Sequence, residues 1–426
     1  MQPEFLLALT GRLYDGFKLW PHATVLLDEK WVLKVGEGLS VPSQARVLPV
    51  ASDETILPGL VDLHVHARPR YAPWFPGAGV TAVRDAGGSL TGLQEARAWA
   101  AVRQGPRVFG AGAILDGESS FFTHFGPGAV TGIGDLNAGA WFIRTPQDAE
   151  TAVERLAEAG AWTIKLYEQL PPDAYAAAVV RARELGLNVM TDLGMRLTRG
   201  LAGAQVDALQ ALKLGVCTIE HASGFALAYQ RMGFDPASQF PDDAVLDGFA
   251  QNIVDAGAML VPTLSVFAGG SREERADLSR LPASNHADEM GGEYGLKTMW
   301  DAVHRTAVGK REPAAWDLRL AAELARRVVD RGGQVGAGTD TPAGVDNLPG
   351  GGLHAELEYL VTLAGLTPEQ ALHAATGAAS ALLDGGCGVL RAGADADVLV
   401  VRGDPTRDIL ATRQLRQVIF GGQLWA

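Results

Sequence analysis

From Leu57 to about residue 384, short apolar runs alternate with Ala-rich amphipathic stretches, and this alternation constrains the fold more than any other feature. Strands that succeed one another through helices run parallel, because each helix returns the chain to the same edge of the sheet. Apolar runs fall near 59–66, 80–84, 107–112, 161–166, 187–192, 216–221, 258–262 and 334–340. Between them lie stretches such as TPQDAETAVERLAEAG, PDAYAAAVVRARELG and AAWDLRLAAELARRVVDRGG, several ending in the Gly that closes a helix. Eight such units in about 330 residues predict an α/β protein, a (β/α)8 TIM-type barrel with insertions.

The spacing breaks twice, at the Gly-rich segment 113–144 with its DGESSFFTHFGPG and at the polar segment 263–315. Both follow strands, so in a barrel they rise from the catalytic face as lids or substrate walls. The first 56 residues carry strands and turns, and that rhythm returns after 385 in CGVLRAGADADVLVVRGD and QVIFGGQLW. Residues 1–56 and 385–426 are therefore expected to share a small composite β domain, a β-sandwich, beside the barrel of 57–384.

The chain has 426 residues, 47% of them hydrophobic and 20% charged, as in a globular protein with a large core. Its formal net charge of -13 argues against nucleic acid or an anionic membrane surface as the main partner. Two cysteines, Cys217 and Cys387, are too few for a disulfide framework or a structural zinc cluster. The N-terminal residues do not read as a signal peptide, and no apolar stretch approaches the ~20 residues of a spanning helix. A cytoplasmic enzyme with a small-molecule substrate is the expectation.

The strongest local signal is LPGLVDLHVH, whose His64 and His66 lie two apart and so point to one side of a strand. Two imidazoles held this way make half of a zinc-type site, although the pair alone is as compatible with coincidence. Lys165 ends the apolar run WTIKLY, where a buried lysine without a partner is costly; its alternative is to snorkel outwards. His221 ends GVCTIEHASG and alone would read as a satisfied core histidine. Asp340 ends QVGAGTDTP and alone could be a helix N-cap. Four such coincidences at C-terminal strand ends are much less probable than one metal site.

The order His-x-His, Lys, His, Asp on strands one, four, six and eight resembles the amidohydrolase superfamily. LPGLVDLHVH, GVTAVRDAGG, GAGTDTP and the closing ALHAATGAASALL, CGVLRAGADADVLVV and GDP carry the resemblance over almost the whole chain. WTIKLYE, IEHASG, VPTL and LHAELEYLV are most similar to its imidazolonepropionase-related and prolidase-like branch. The resemblance implies a divalent metal, zinc by type, at one or two per chain. His64, His66 and Asp340 would hold the first; Lys165, as a carbamate formed with carbon dioxide, would bridge to a second also held by His221. A metal-bound hydroxide would attack the carbonyl, with Asp340 as general base and then acid.

One position departs from the pattern. Members of this kind end strand five with a histidine, whereas here GLNVMTDLG places Asp192 there. Asp192 ligates the second metal through oxygen, or leaves a one-metal enzyme, or marks a barrel that has lost catalysis. Four further residues are candidates for substrate contact: Tyr167 beyond Lys165, Tyr229 beyond the sixth strand, His124 in the long loop and Arg84 in AVRDAGG. Arg84 could equally pair with Asp85, His124 could be a surface histidine, and Tyr229 could merely pack. His354 reads as structural and Cys217 as packing. The function expected is hydrolysis of an amide-type C–N bond in a dipeptide or N-acyl amino acid. A mononuclear cyclic-amide hydrolase or deaminase is the alternative, and a non-catalytic binding or scaffold barrel the alternative of another class. Barrels of this kind often pair, so a homo-oligomer stays open.

Overall fold

The computed structural model describes residues 6–126, 128–199, 201–271, 311–344 and 347–425. Eight parallel strands make its centre: β1 Leu60–Val65, β2 Val80–Asp85, β3 Arg107–Gly110, β4 Thr163–Leu166, β5 Asn188–Thr191, β6 Thr218–Glu220, β7 Met259–Val261 and β8 Gln334–Val335. Each coincides with an apolar run of the sequence. The two parallel sheets join where Trp162 N–H donates to Gly110 O (2.8 Å), which links β4 to β3. The ring closes where Leu63 N–H donates to Ala337 O (2.9 Å) and Thr339 N–H to His64 O (3.1 Å), which lays the last strand beside the first.

The helices form where capping and spacing direct. Helix α1, Pro146–Glu158, starts from Thr145, whose side chain accepts from Asp148 N–H while Asp148 accepts in return. Its buried Ala149, Ala152, Val153 and Leu156 recur at helical spacing and face the barrel. In α2, Asp243–Asp255, Asp242 caps the start and Leu246, Phe249, Ala250 and Ile253 are buried. Ile164, Val189, Ile219 and Leu260 supply the other side of this layer, while Val61, Leu63, Ala82, Met259 and Val261 pack in a separate cluster.

The segment 113–144 is not a plain loop. Ile114–Asp116, Val130–Thr131 and Ala140–Phe142 pair in parallel, and Leu115 pairs with Leu166 of β4. These strands are only two or three residues long, too short for periodicity to mark them. Of 263–315, the residues 272–310 lie outside the described ones.

The chain ends share one sheet. In order it runs Gln423–Leu424, Leu415–Phe420, Val398–Arg402, Glu54–Pro58, Leu7–Tyr14, Leu19–Leu27 and Val32–Gly36, with Arg46–Val47 also on Leu7–Tyr14. Leu9, Val25, Ile56, Val398 and Val400 give it a core of its own. Among the described residues the pairing defines one continuous sheet, so the two-layer sandwich remains an expectation. No helix among the described residues is long and apolar enough to cross a membrane.

Candidate metal centre

The residues singled out at strand ends meet at the C-terminal mouth of the barrel. One ligand atom each from His64, His221 and Asp340 lies within 4.8 Å of the others. Asp340 Oδ1 stands 3.1 Å from His66 Nε2 and 3.5 Å from His64 Nε2, and Asp340 Oδ2 is 3.9 Å from His221 Nε2. On the other side of His221, Asp192 Oδ2 is 3.2 Å from Nε2 and 3.3 Å from Lys165 Nζ. Lys165, with 1% of its surface exposed, therefore turns into the barrel rather than snorkelling out.

Each histidine is oriented from behind. His64 Nδ1 faces Glu220 Oε2 at 2.6 Å, His66 Nδ1 faces Gly87 O at 2.9 Å, and His221 Nδ1 faces Thr263 Oγ1 at 2.5 Å. A carboxylate or carbonyl at Nδ1 fixes the proton there and aims the Nε2 lone pair at the centre. Asp62 braces the seam of the ring: its Oδ1 accepts from Thr339 N–H (3.0 Å) and His64 N–H (3.2 Å), and its Oδ2 from Thr339 Oγ1 (2.7 Å). A Cβ on Gly338 would lie 2.9 Å from His64 Cβ, so glycine is what lets the segment after β8 come this close to β1.

The backbone is strained here. His221, Thr263 and Asp340 adopt positive φ of 61°, 47° and 59°. Such conformations are costly without glycine, above all for β-branched threonine, and gather at functional sites.

Burial and neighbours set the charges. Burial first, then Lys165, holds the His64 imidazole well below its usual pKa, so it is neutral and carries a free lone pair. Burial would raise Asp340, but the imidazoles of His66, His64 and His221 gathered around its carboxylate override it and bring it to about 2. Asp192 follows the same pattern, burial outweighed by Lys165 and then His221, and lies at about 2. Burial opposes the charging of His221 and the Asp192 carboxylate overrides it, raising the pKa.

Two buried atoms of the centre, His64 Nε2 and Asp192 Oδ1, have no hydrogen-bond partner among the described residues. Such orphans are expensive unless something else satisfies them. Imidazole nitrogens and carboxylate oxygens converging within ligand distance of a common point are the donor set of a zinc-type metal. The residues fit the group.

The other candidates fall elsewhere. Arg84 lies buried beneath the centre: its Nε donates to Leu63 O (2.6 Å), Nη1 to Thr218 Oγ1 (2.9 Å) and Nη2 to Glu220 Oε1 (2.8 Å). It supports the carboxylate that orients His64, so its ion-pair partner is Glu220 rather than Asp85 or a substrate anion. Tyr229 is buried and stacks on Phe234, ring centroids 4.6 Å apart. His124 is exposed and faces Phe121 O at 2.8 Å. Tyr167 lies beside the centre, its ring centroid 6.0 Å from Lys165 Nζ, and burial with the nearby Asp192 keeps its hydroxyl protonated. His354 is held by Ala78 O (2.9 Å) and Thr412 Oγ1 (3.0 Å), a structural place.

A closed parallel barrel with histidines, a lysine and carboxylates gathered at one mouth defines a class, the barrel enzymes that work at the C-terminal ends of their strands. The chain belongs to the amidohydrolase family, whose sequence model matches residues 55–424, and is accordingly a hydrolase. Solved structures share the fold over nearly the whole length. An amidohydrolase is 21% identical with a TM-score of 0.72, covering 99% of both chains. A Xaa-Pro dipeptidase with methionine in its active site is 19% identical with a TM-score of 0.69, again over 99% of both. The ochratoxinase of A. niger is 18% identical with a TM-score of 0.69, over 99% of this chain and 95% of its own. No curated protein matches in sequence.

Proposed function

We propose that this protein hydrolyses an amide-type C–N bond in a dipeptide or N-acyl amino acid, with divalent metal of the zinc type held at the barrel mouth. The observation that carries the reading is the group of ligand atoms from His64, His221 and Asp340 within 4.8 Å of one another, with His66 beside Asp340 and with Asp192 beside His221 and Lys165. Its similarity in fold to a Xaa-Pro dipeptidase supports the choice of bond.

His64, His66 and Asp340 would hold one metal, and His221, Asp192 and a carboxylated Lys165 a second. When bound, the metal supplies the Lewis acidity that polarises the carbonyl and brings the acidity of water towards neutral pH. Asp340, ionised at neutral pH and steadied by His66, takes the proton of the attacking water and returns it to the departing nitrogen. Water adds to the carbonyl carbon, the C–N bond breaks, and one carboxylic acid and one amine leave. Glu220 and Thr263 keep the imidazoles aimed throughout, and the burial of Lys165 and Asp192 keeps bulk water from that side.

One contact favours a second reading. Lys165 Nζ lies 3.3 Å from Asp192 Oδ2, and a lysine that stays in this ion pair instead of being carboxylated would leave His64, His66, His221 and Asp340 as a one-metal site. Elemental analysis of protein purified with bicarbonate and without chelators separates the two. About two metals per chain supports the carbamate, about one the ion pair, and none after reconstitution refutes both. Hydrolysis of N-acyl amino acids or dipeptides by the loaded protein tests the bond.

A further inference from the structure

One cluster on the catalytic face takes no part in holding the centre. The turn Phe121–Phe125 brings Phe121 within 5.9 Å of Phe122 and 5.7 Å of Phe125, centroid to centroid, and Phe122 within 6.1 Å of Phe125. Phe122 also lies 4.8 Å from Tyr167, whose own ring is 6.0 Å from Lys165 Nζ. A continuous path of rings thus runs from the buried lysine outwards to Phe125, which is 70% exposed.

The turn is anchored. Asp116 Oδ1 accepts from Gly117 N–H (2.9 Å) and from Gln169 N–H (2.7 Å), which ties the turn's base to the segment after β4. A Cβ at Gly117 would stand 2.1 Å from Gln169 O, so only glycine permits the approach. Ser120 Oγ accepts from Phe122 N–H (3.2 Å), and Thr123 Oγ1 donates to Ser120 O (2.8 Å).

We propose that Phe121, Phe122, Phe125 and Tyr167 form the wall that receives an aromatic ring carried by the substrate, making ring-bearing N-acyl amino acids or dipeptides the preferred class. This rests on the amide hydrolysis proposed above. Tyr167 is buried and backs the wall, Phe121 and Phe122 are half-buried, and Phe125 stands open, so the outer part of the cluster offers apolar area to a bound molecule. The tilted and edge-on contacts of these rings are the geometry into which a further ring fits at 4.5–7 Å. The path starts at Lys165, so a ring on this wall belongs to a molecule whose scissile bond lies at the centre. A few side chains are too small a patch for a protein partner.

The test compares kcat/KM of the metal-loaded protein for N-benzoyl-alanine and N-acetyl-phenylalanine against N-acetyl-alanine. A ring preference of about tenfold or more is expected. It should fall towards one in Phe122→Ala, fall partway in Phe125→Ala, and survive in part in Phe122→Leu. Phe125 is exposed enough for its variant to fold, and melting temperature and metal content are followed throughout. A wild type without ring preference, or a preference that persists in both alanine variants, overturns the wall. If no amide is cleaved, calorimetry of benzoate and phenylalanine against acetate and alanine decides separately. A ring preference lost in Phe122→Ala keeps the wall while the amide reading falls, and absence of that preference overturns the wall.

Discussion

His64 can present its Nε2 only because Glu220 stands at its Nδ1, and Glu220 stands there because Arg84 grips both of its oxygens, at 2.8 and 2.9 Å. Removing a carboxylate behind a metal-ligating histidine weakens metal binding by about 10–100-fold. Glu220→Gln keeps the volume and loses the charge, and a loss of that order is expected when metal is titrated against a competing chelator; unchanged affinity would refute the role. Asp192 sets the charge of the centre in a different way. With two metals, an aspartate where relatives of this kind have histidine makes the site one unit less positive, and a less positive site makes water less acidic. The pH–rate profile of Asp192→His should therefore show a lower kinetic pKa than the natural protein. An equal or higher value removes Asp192 from the second metal's ligands.

Helices carry their own titrations. In α3, Arg311–Asp330, Asp317 is buried and accepts from Leu197 N–H at 2.8 Å, tying this helix to the short one at Arg196–Arg199. Burial outweighs that hydrogen bond and the charge of Arg196, and raises its pKa from 3.8 to about 7. A raised folded-state pKa means the folded protein holds the proton more tightly. The stability it contributes is complete below about pH 4 and is lost as pH rises through about 7. Asp317→Asn keeps an acceptor that cannot ionise. Its melting temperature relative to the natural protein should rise across that window, by the order of a few degrees. Asp62, also raised to about 7 by burial, is common to both proteins and cancels in the difference. A difference that stays flat with pH contradicts the burial argument.

At the scale of the whole molecule, the terminal sheet and the barrel are one construction. Glu54–Pro58 pairs with Val398–Arg402 across the sheet and, one residue later, becomes β1. Arg107 of β3 reaches back to Asp397 Oδ2 (2.9 Å) and Asp395 Oδ2 (3.2 Å). Deleting residues 398–426 should therefore abolish cooperative thermal unfolding, and a truncated chain that melted as the full one does would show the two parts to be independent. Much of this was legible beforehand. The eight barrel strands and His64, His66, Lys165, His221 and Asp340 stood out because strand ends in apolar runs are few and polar residues there are conspicuous. Glu220 did not, because alternation places it and its neighbour His221 on opposite faces. The strand stops at Glu220, and the positive φ of His221 swings that side chain to the mouth as well. Arg84 was visible as a charge but not as a buried strut, since its partners Glu220 and Thr218 lie over 130 residues away.

The seam between the first and last strands has a consequence for how the protein is made. His64 and His66 leave the ribosome some 270 residues ahead of Asp340 and the segment that lies against them. Until then the two histidines flank an open edge, and β1 has a neighbour on one side only. A chain stalled short of residue 334 can hold most of its helices and still have no working mouth. Translation must pass Asp340 before the two histidines meet the carboxylate that completes their cluster.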